Sequence, residues 1–144
     1  MATERRAEVT WRGSLMDGAG TIDQVDSGAF GPLDVTWASR AEDPEGRTSP
    51  EELIAAAHAA CFSMALSHAL AQAGTPPEQL STSATVTFVP GTGITKIALA
   101  VAARVPGADE AGFAEAAEGA RTGCPVSKAL AAVPEITLDA RLES

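Results

Sequence analysis

Two cysteines offer the clearest chemistry in this chain of 144 residues, in which Cys61 and Cys124 stand 63 positions apart. Two thiols that meet after folding can form a redox couple, in which one thiolate attacks an oxidant and the other closes a disulfide. Free cysteine is also a common small buried residue, and spacing alone does not show that the sulfurs meet. The pair predicts thiol redox chemistry if the fold brings the sulfurs together.

The position of Cys124 favours a chemical use. It directly precedes Pro125, which suits the first position of a short helix, so Cys124 is the expected N-cap. Unpaired backbone N–H groups and the dipole at a helix start favour a thiolate. A plain capping residue is the alternative, although cysteine is not a preferred cap.

A thiolate at Cys61 needs a cation, because burial in an apolar helix raises a thiol pKa. Arg40 and Arg47 flank a charged loop just before that helix, and Glu51 could hold a guanidinium through a two-point bond. The alternatives are that Glu51 only complements the helix dipole and that the arginine faces water.

His58 lies one turn before Cys61, so a Cys–His pair or a metal site is conceivable. A metal site needs three or four converging ligands, and no Asp or Glu lies on the helix face that Cys61 shares with His58 and His68. We therefore expect no metal, and we expect His58 to be a packed or hydrogen-bonding helix residue.

The element that must position Cys61 is a long helix. Ser49 suits its N-cap, Pro50 its first position, Glu52 the third position of a capping box, and Gly74 its terminator. The helix is apolar on most faces, so it should be buried on most faces. One chain of this size offers little cover for it, which predicts a two-fold homodimer.

The other elements are shorter, and they place the chain in the α+β class, with antiparallel strands around one long helix. Alternation and turn residues predict strands over residues 8–17, 21–25, 34–38, 81–90, 94–105 and 136–142, a helix over 109–121, and a short helix that begins after Cys124.

Composition excludes several classes of function. Ten basic against 19 acidic residues give a formal net charge of −9, which repels nucleic acid and anionic membrane surfaces. The N-terminus has no apolar signal segment, and polar residues interrupt the apolar stretch over 53–73. We expect a single domain over residues 1–144, located in the cytoplasm.

The segment from Ser49 to Ser67, SPEELIAAAHAACFSMALS, resembles the active-site helix of the OsmC/Ohr family, the osmotically inducible and organic hydroperoxide resistance proteins. Gly123-Cys124-Pro125-Val126-Ser127 resembles that family's second-cysteine motif, and the likeness runs from Trp11 to the C-terminus. It implies an intertwined homodimer that acts as a thiol-dependent peroxidase on organic hydroperoxides, is reset by a thioredoxin-like or lipoyl dithiol, and uses no cofactor.

By matching position, the resemblance implies that Cys61 is the peroxidatic cysteine, Cys124 the resolving one, and Arg40 and Glu51 their activating pair. The loop differs from the OsmC pattern, because Ala41 replaces a usual Phe, so Arg47 stays an alternative to Arg40. On a straight helix, Glu51 and Cys61 are roughly 15 Å apart along the axis. Either the helix is interrupted near its start, or the Arg–Glu pair serves the partner's thiol, which is the arrangement we expect.

Two other functions compete with the peroxidase. One is a dimer that binds an apolar ligand and has inert thiols; the other is a hot-dog-like thioesterase, which gives the two cysteines no task.

Overall fold

The computed structural model describes residues 1–143 and has the predicted α+β class, with two small sheets and one long helix. It divides into two compact units, Met1–Leu53 and a second that begins at Ile54. Each unit is described by itself, and the single-domain assignment stays a prediction.

The first unit carries a three-stranded antiparallel sheet. Its strands are β1 (Ala7–Arg12), β2 (Ala19–Val25) and β3 (Leu33–Val35), in the spatial order β1-β2-β3. A turn that includes Asp17 and Gly18 joins the first two strands, as predicted, but the predicted strand over 8–17 already ends at Arg12.

The predicted strand over 34–38 is wrong beyond Val35. The chain turns there into a short helix, α1 (Trp37–Ala41). Thr36 caps this helix, because its side chain accepts the Ser39 N–H and the Ser39 hydroxyl in turn accepts the Thr36 N–H. This reciprocal cap outweighs the alternation of Val35 and Trp37 from which the strand was predicted.

The long helix α2 covers Pro50–Gln72, as predicted. Ser49 is its cap, since its Oγ accepts the Glu52 N–H at 3.1 Å. The predicted capping box is incomplete, because the Glu52 carboxylate accepts a hydrogen bond from the Thr48 hydroxyl instead of reaching back to Ser49. Gly74 follows the helix with a φ of 86°, a left-handed conformation that favours glycine.

One chain covers α2 only in part, as expected, and cover by a second copy stays a prediction. Beyond the first turn of α2, the buried residues lie four positions apart and form one stripe along the helix. They are His58, Phe62, Leu66 and Leu70. Met64 is 73% exposed, and the small apolar residues Ala56, Ala57 and Ala60 are exposed as well. By length and hydropathy α2 could cross a membrane, but the core helix of a soluble protein meets the same test, so this is weak evidence.

The second unit places a three-stranded sheet beside helices. Strands β4 (Gln79–Val89) and β5 (Gly93–Arg104) form the predicted antiparallel hairpin. Helices α3 (Glu110–Gly123) and α4 (Pro125–Ala129) then lead to β6 (Glu135–Leu142). Strand β6 pairs with β5 in the parallel direction. The expectation that all strands are antiparallel is therefore wrong for this pair. A parallel pair needs a crossover connection, and α3 and α4 supply it.

The core of the second unit joins one face of α2 to β5 and α3. Its largest members are Phe62, Leu66, Leu70, Leu99 and Phe113. Because Cys61 directly precedes Phe62 in the helix, this packing fixes the rotation of α2 and with it the direction in which the Cys61 side chain points.

Candidate active site

The two cysteines meet in the second unit. Cys61 is half-buried on α2, and Cys124 is fully buried at the N-cap of α4. Both are free thiols, and Cys124 lies close enough to Cys61 to raise the pKa of its thiol. The backbone of Val126 is also near enough to Cys61 to lower that pKa. The fold therefore brings together two sulfurs that are far apart in the sequence.

The surroundings of Cys61 within its own unit disfavour a thiolate. Burial raises the pKa of the Cys61 thiol, and the hydrogen bond and charge of Cys124 raise it further. The backbone hydrogen bond from Val126 acts in the opposite direction and lowers the pKa. A thiol of this kind needs a nearby cation before it can react as an efficient nucleophile at neutral pH.

Cys124 is held by a residue to which the sequence analysis assigned no function. The Ser127 N–H donates to the Cys124 sulfur at 3.3 Å, and the Cys124 thiol donates to the Ser127 hydroxyl at 3.2 Å. An N-cap side chain regularly meets the third helical residue, so the capping position of Cys124 was the signal that could have identified Ser127.

His58 bonds to this serine and not to Cys61. Its Nε2 lies 2.7 Å from the Ser127 hydroxyl, while Nδ1 is buried with no hydrogen-bond partner. Burial lowers the pKa of His58. The expectation of a hydrogen-bonding helix residue is confirmed, and a direct Cys–His pair is not formed. Within residues 1–143, no three His, Cys, Asp or Glu side chains are grouped so as to hold a metal ion.

In the first unit, Arg40 and Glu51 form a two-point ion pair. Arg40 Nε lies 2.9 and 3.1 Å from the two carboxylate oxygens, and Nη2 lies 2.8 Å from Oε2. The Glu51 side chain is 7% exposed and that of Arg40 is 33% exposed. Arg47 instead approaches Glu45 at 3.8 Å. Of the two candidate arginines, Arg40 is therefore the one that Glu51 orients.

A model of the OsmC-like protein family matches residues 42–139. This chain belongs to the OsmC family. The peroxiredoxin OsmC of Escherichia coli K12 is 43% identical over 147 aligned residues, which cover 100% of both chains. The peroxiredoxin OsmC of Shigella flexneri matches to the same extent.

Solved structures show the same fold. The organic hydroperoxide resistance protein OsmC of Legionella pneumophila has a TM-score of 0.67 at 22% identity, and the match covers 94% of this chain and 96% of that one. The organic hydroperoxide resistance protein OhrB of Bacillus subtilis has a TM-score of 0.62 at 25% identity, with coverage of 96% and 98%. The α+β fold of this OsmC-family chain is thus the OsmC/Ohr fold.

Helix α2 is continuous from Pro50 to Gln72, so the OsmC-family chain does not have the helix interruption considered above. The Arg40–Glu51 pair belongs to the first unit and Cys61 to the second. Their joint action at one thiol, in particular across a subunit interface, stays a prediction.

Apolar side chains around Cys61 would favour an organic hydroperoxide over hydrogen peroxide if they lined the site. Phe62 and Leu66 are fully buried in the core, where a substrate cannot reach them without a rearrangement. Met64 lies on the exposed face of the helix. A preference for organic hydroperoxides therefore cannot be argued from Phe62 and Leu66.

Proposed function

We propose that this protein reduces organic hydroperoxides to alcohols, with Cys61 as the peroxidatic cysteine and Cys124 as the resolving cysteine. The observation that carries the proposal is that two free thiols lie close enough together for one to shift the pKa of the other. A binding protein for apolar ligands or a thioesterase would have no use for this proximity. The reducing cytoplasm, where dithiol reductants are available, is the location we propose.

The enzyme is a thiol-dependent peroxidase. The peroxiredoxin OsmC of Escherichia coli, which is 43% identical over the full chain, belongs to this class. Its structural neighbours carry names of organic hydroperoxide resistance, which supports the substrate class and a part in the response to oxidative stress.

In the first step, the Cys61 thiolate attacks the distal oxygen of the hydroperoxide. The O–O bond breaks, an alcohol leaves with one proton, and Cys61 becomes a sulfenic acid. Arg40, held by Glu51, supplies the cation that stabilises the thiolate and the charge developing on the peroxide oxygens. This cation is needed because the burial of Cys61 raises its pKa.

In the second step, Cys124 attacks the sulfur of the Cys61 sulfenic acid. The S–S bond forms, the S–O bond breaks, and water leaves. An external dithiol, of thioredoxin-like or lipoyl type, then reduces the disulfide by thiol–disulfide exchange and becomes oxidised itself. Fast closure of the disulfide protects Cys61 from further oxidation.

The active unit we propose is a homodimer. Each unit of the chain has exposed apolar side chains: Met64 on α2 is 73% exposed, and on β1 Val9 is 59% and Trp11 40% exposed. Contiguous exposed apolar patches mark interaction sites, and we propose that these side chains belong to such a patch. A second copy of the chain would cover it and would bring a second Arg40–Glu51 pair within the assembly.

The test of function measures the consumption of cumene hydroperoxide in the presence of a dithiol. We expect turnover by the wild-type protein and none by Cys61→Ser. Absence of turnover with unmodified thiols would favour a ligand-binding protein, and hydrolysis of a thioester would favour a thioesterase.

The test of the dimer compares Met64→Lys with Met16→Lys, because Met16 is similarly exposed, at 66%, but lies outside α2. Sedimentation should show dissociation for Met64→Lys and a dimer for Met16→Lys. Mixing inactive Arg40→Ala and Cys61→Ser chains then tests the site. If Arg40 acts on the partner's thiol, mixed dimers regain activity at one of their two sites; if it acts within its own chain, they stay inactive.

A further inference from the structure

The two peroxidase steps leave a buried pair of polar residues without a function. His58 is 0% exposed and Ser127 is 5% exposed, and their side chains are joined by a hydrogen bond of 2.7 Å. Ser127 also touches the sulfur of Cys124 through both its backbone N–H and its hydroxyl. A continuous line of hydrogen bonds therefore runs from the resolving thiol to a buried imidazole.

The tautomer of His58 sets the direction of its bond to Ser127, and the relay uses one of the two tautomers. When the Cys124 thiol donates to the Ser127 oxygen, the hydroxyl proton of Ser127 can face His58 Nε2. Nε2 then acts as the acceptor, and the single proton of the neutral ring sits on Nδ1.

In that arrangement the buried Nδ1–H group has no acceptor among residues 1–143. Unsatisfied buried polar groups are rare in native structures, and a catalytic use is one of the reasons they persist. In this tautomer the lone pair of Nε2 is directed at the Ser127 hydroxyl, where it can accept a proton. Because burial also lowers the pKa of His58, the ring is neutral and its lone pair is available as a base near neutral pH.

We propose that Ser127 and His58 form a proton relay that activates Cys124 for disulfide closure. Ser127 contacts the reacting sulfur and passes on the proton, and His58 acts through Ser127 as the positioning residue and final proton acceptor. This inference rests on the proposed function, because it assigns residues to the second step of that cycle.

The step balances as follows. As the Cys124 sulfur bonds to the Cys61 sulfur, the thiol proton moves to the Ser127 oxygen and the hydroxyl proton of Ser127 moves to His58 Nε2. The S–O bond of the sulfenic acid breaks, and the leaving hydroxide takes up a proton to become water. His58 then returns its proton to solvent, so that the net change is one disulfide and one water from a sulfenic acid and a thiol.

The test separates the two chemical steps in a single turnover. Reduced protein is mixed with one equivalent of cumene hydroperoxide and quenched with a thiol-alkylating reagent at increasing times. Mass spectrometry then measures the sulfenic acid, trapped by dimedone in parallel samples, and the Cys61–Cys124 disulfide. Far-UV circular dichroism and a thermal melt establish that each variant is folded.

Four variants make the comparison specific. Ser127→Ala removes the relay oxygen and Ser127→Thr retains a hydroxyl. His58→Gln keeps an amide that can hydrogen-bond to Ser127 but cannot accept its proton. His68→Gln makes the same change at an exposed histidine of the same helix and is the matched control.

We expect Ser127→Ala and His58→Gln to slow disulfide closure by about 100-fold, the size of an ordinary acid–base contribution. Formation of the sulfenic acid should change by less than about twofold, because the relay takes no part in that step. Ser127→Thr should recover most of the closure rate, and His68→Gln should match the wild type. If Ser127→Thr does not fold, His58→Gln alone still decides the question.

Three results would overturn the relay. Closure at the wild-type rate in His58→Gln would mean that no proton reaches the imidazole. If a variant slowed sulfenic acid formation and disulfide closure equally, His58 and Ser127 would have only a structural function. Disulfide closure at the wild-type rate in Ser127→Ala would lead to the same conclusion. Failure of the wild-type protein to form the disulfide at all would instead contradict the proposed function, so the two failures are distinguishable.

Discussion

Replacement of Glu51 by glutamine tests whether the ion pair with Arg40 supports both the fold and the reaction. The carboxylate accepts three N–H contacts from the guanidinium at 2.8 to 3.1 Å. A glutamine amide can accept at its oxygen, but its NH₂ group would face the guanidinium donors. The change therefore keeps the shape of the side chain and removes the charge and at least one contact.

The size of the effect follows from this geometry. Hydrogen bonds to charged groups contribute about 1.5–3 kcal/mol each when shielded from water. The Arg40 side chain is 33% exposed, so solvent screens part of the interaction. We therefore expect a loss of about 1–2 kcal/mol in the free energy of unfolding. Hydroperoxide reduction should fall further, by about 10- to 100-fold, because a guanidinium displaced by about 1 Å stabilises the transition state poorly.

Glu52→Gln is the matched control. Glu52 is the neighbouring residue in the same first turn, is exposed, and bonds to the Thr48 hydroxyl instead of an arginine. Urea unfolding followed by circular dichroism and a cumene hydroperoxide assay compare the two variants. Equal stabilities for Glu51→Gln, Glu52→Gln and wild type would refute the energetic argument. Full activity in a destabilised Glu51→Gln would refute the argument that Glu51 positions Arg40 for the reaction.

Three further predictions concern the second unit. Burial lowers the pKa of His58, so below about pH 6.5 the unfolded chain binds more protons than the folded chain. The free energy of unfolding should therefore be greatest above about pH 6.5 and fall below it by at most about 1.4 kcal/mol per pH unit. In urea titrations at several pH values, His58→Gln should remove this slope and His68→Gln should keep it. With excess hydroperoxide, Cys124→Ser should lead to sulfinic acid at Cys61, visible by mass spectrometry, whereas sulfenic acid that persists unchanged would argue against a protective function of the second thiol. Phe62→Ala should lower the free energy of unfolding by about 3–5 kcal/mol because Phe62 is fully buried in the core, and a loss under about 1 kcal/mol would contradict that packing.

The long helix could be predicted from the sequence because its ends are encoded locally. Ser49 and Pro50 mark its start and Gly74 its end, and these signals need no information about distant residues. The hairpin of β4 and β5 is encoded in the same local way by the glycines at its turn.

The direction of β6 could not be predicted from alternation, because apolar and polar residues alternate in the same way in either direction. Its parallel pairing with β5 follows from the crossover through α3 and α4. The short helix α1 escaped detection because a cap formed by Thr36 and Ser39 overrides the strand pattern of Val35 and Trp37.

The thiols were recognisable as candidates from their residue types, but their contact depends on packing between α2 and the start of α4. The same holds for Ser127, whose link to His58 spans 69 positions. The Arg40–Glu51 contact could be proposed in advance because both residues flank one loop. Its relation to Cys61 stays a prediction.

The most direct test of the account is peptide mapping of the reduced protein after one equivalent of cumene hydroperoxide. We predict a Cys61–Cys124 disulfide within one chain, formed without added catalyst and lost again on treatment with a dithiol. Peroxide consumption that leaves Cys61 as sulfinic acid or linked to a second chain, with Cys124 still a free thiol, would contradict it.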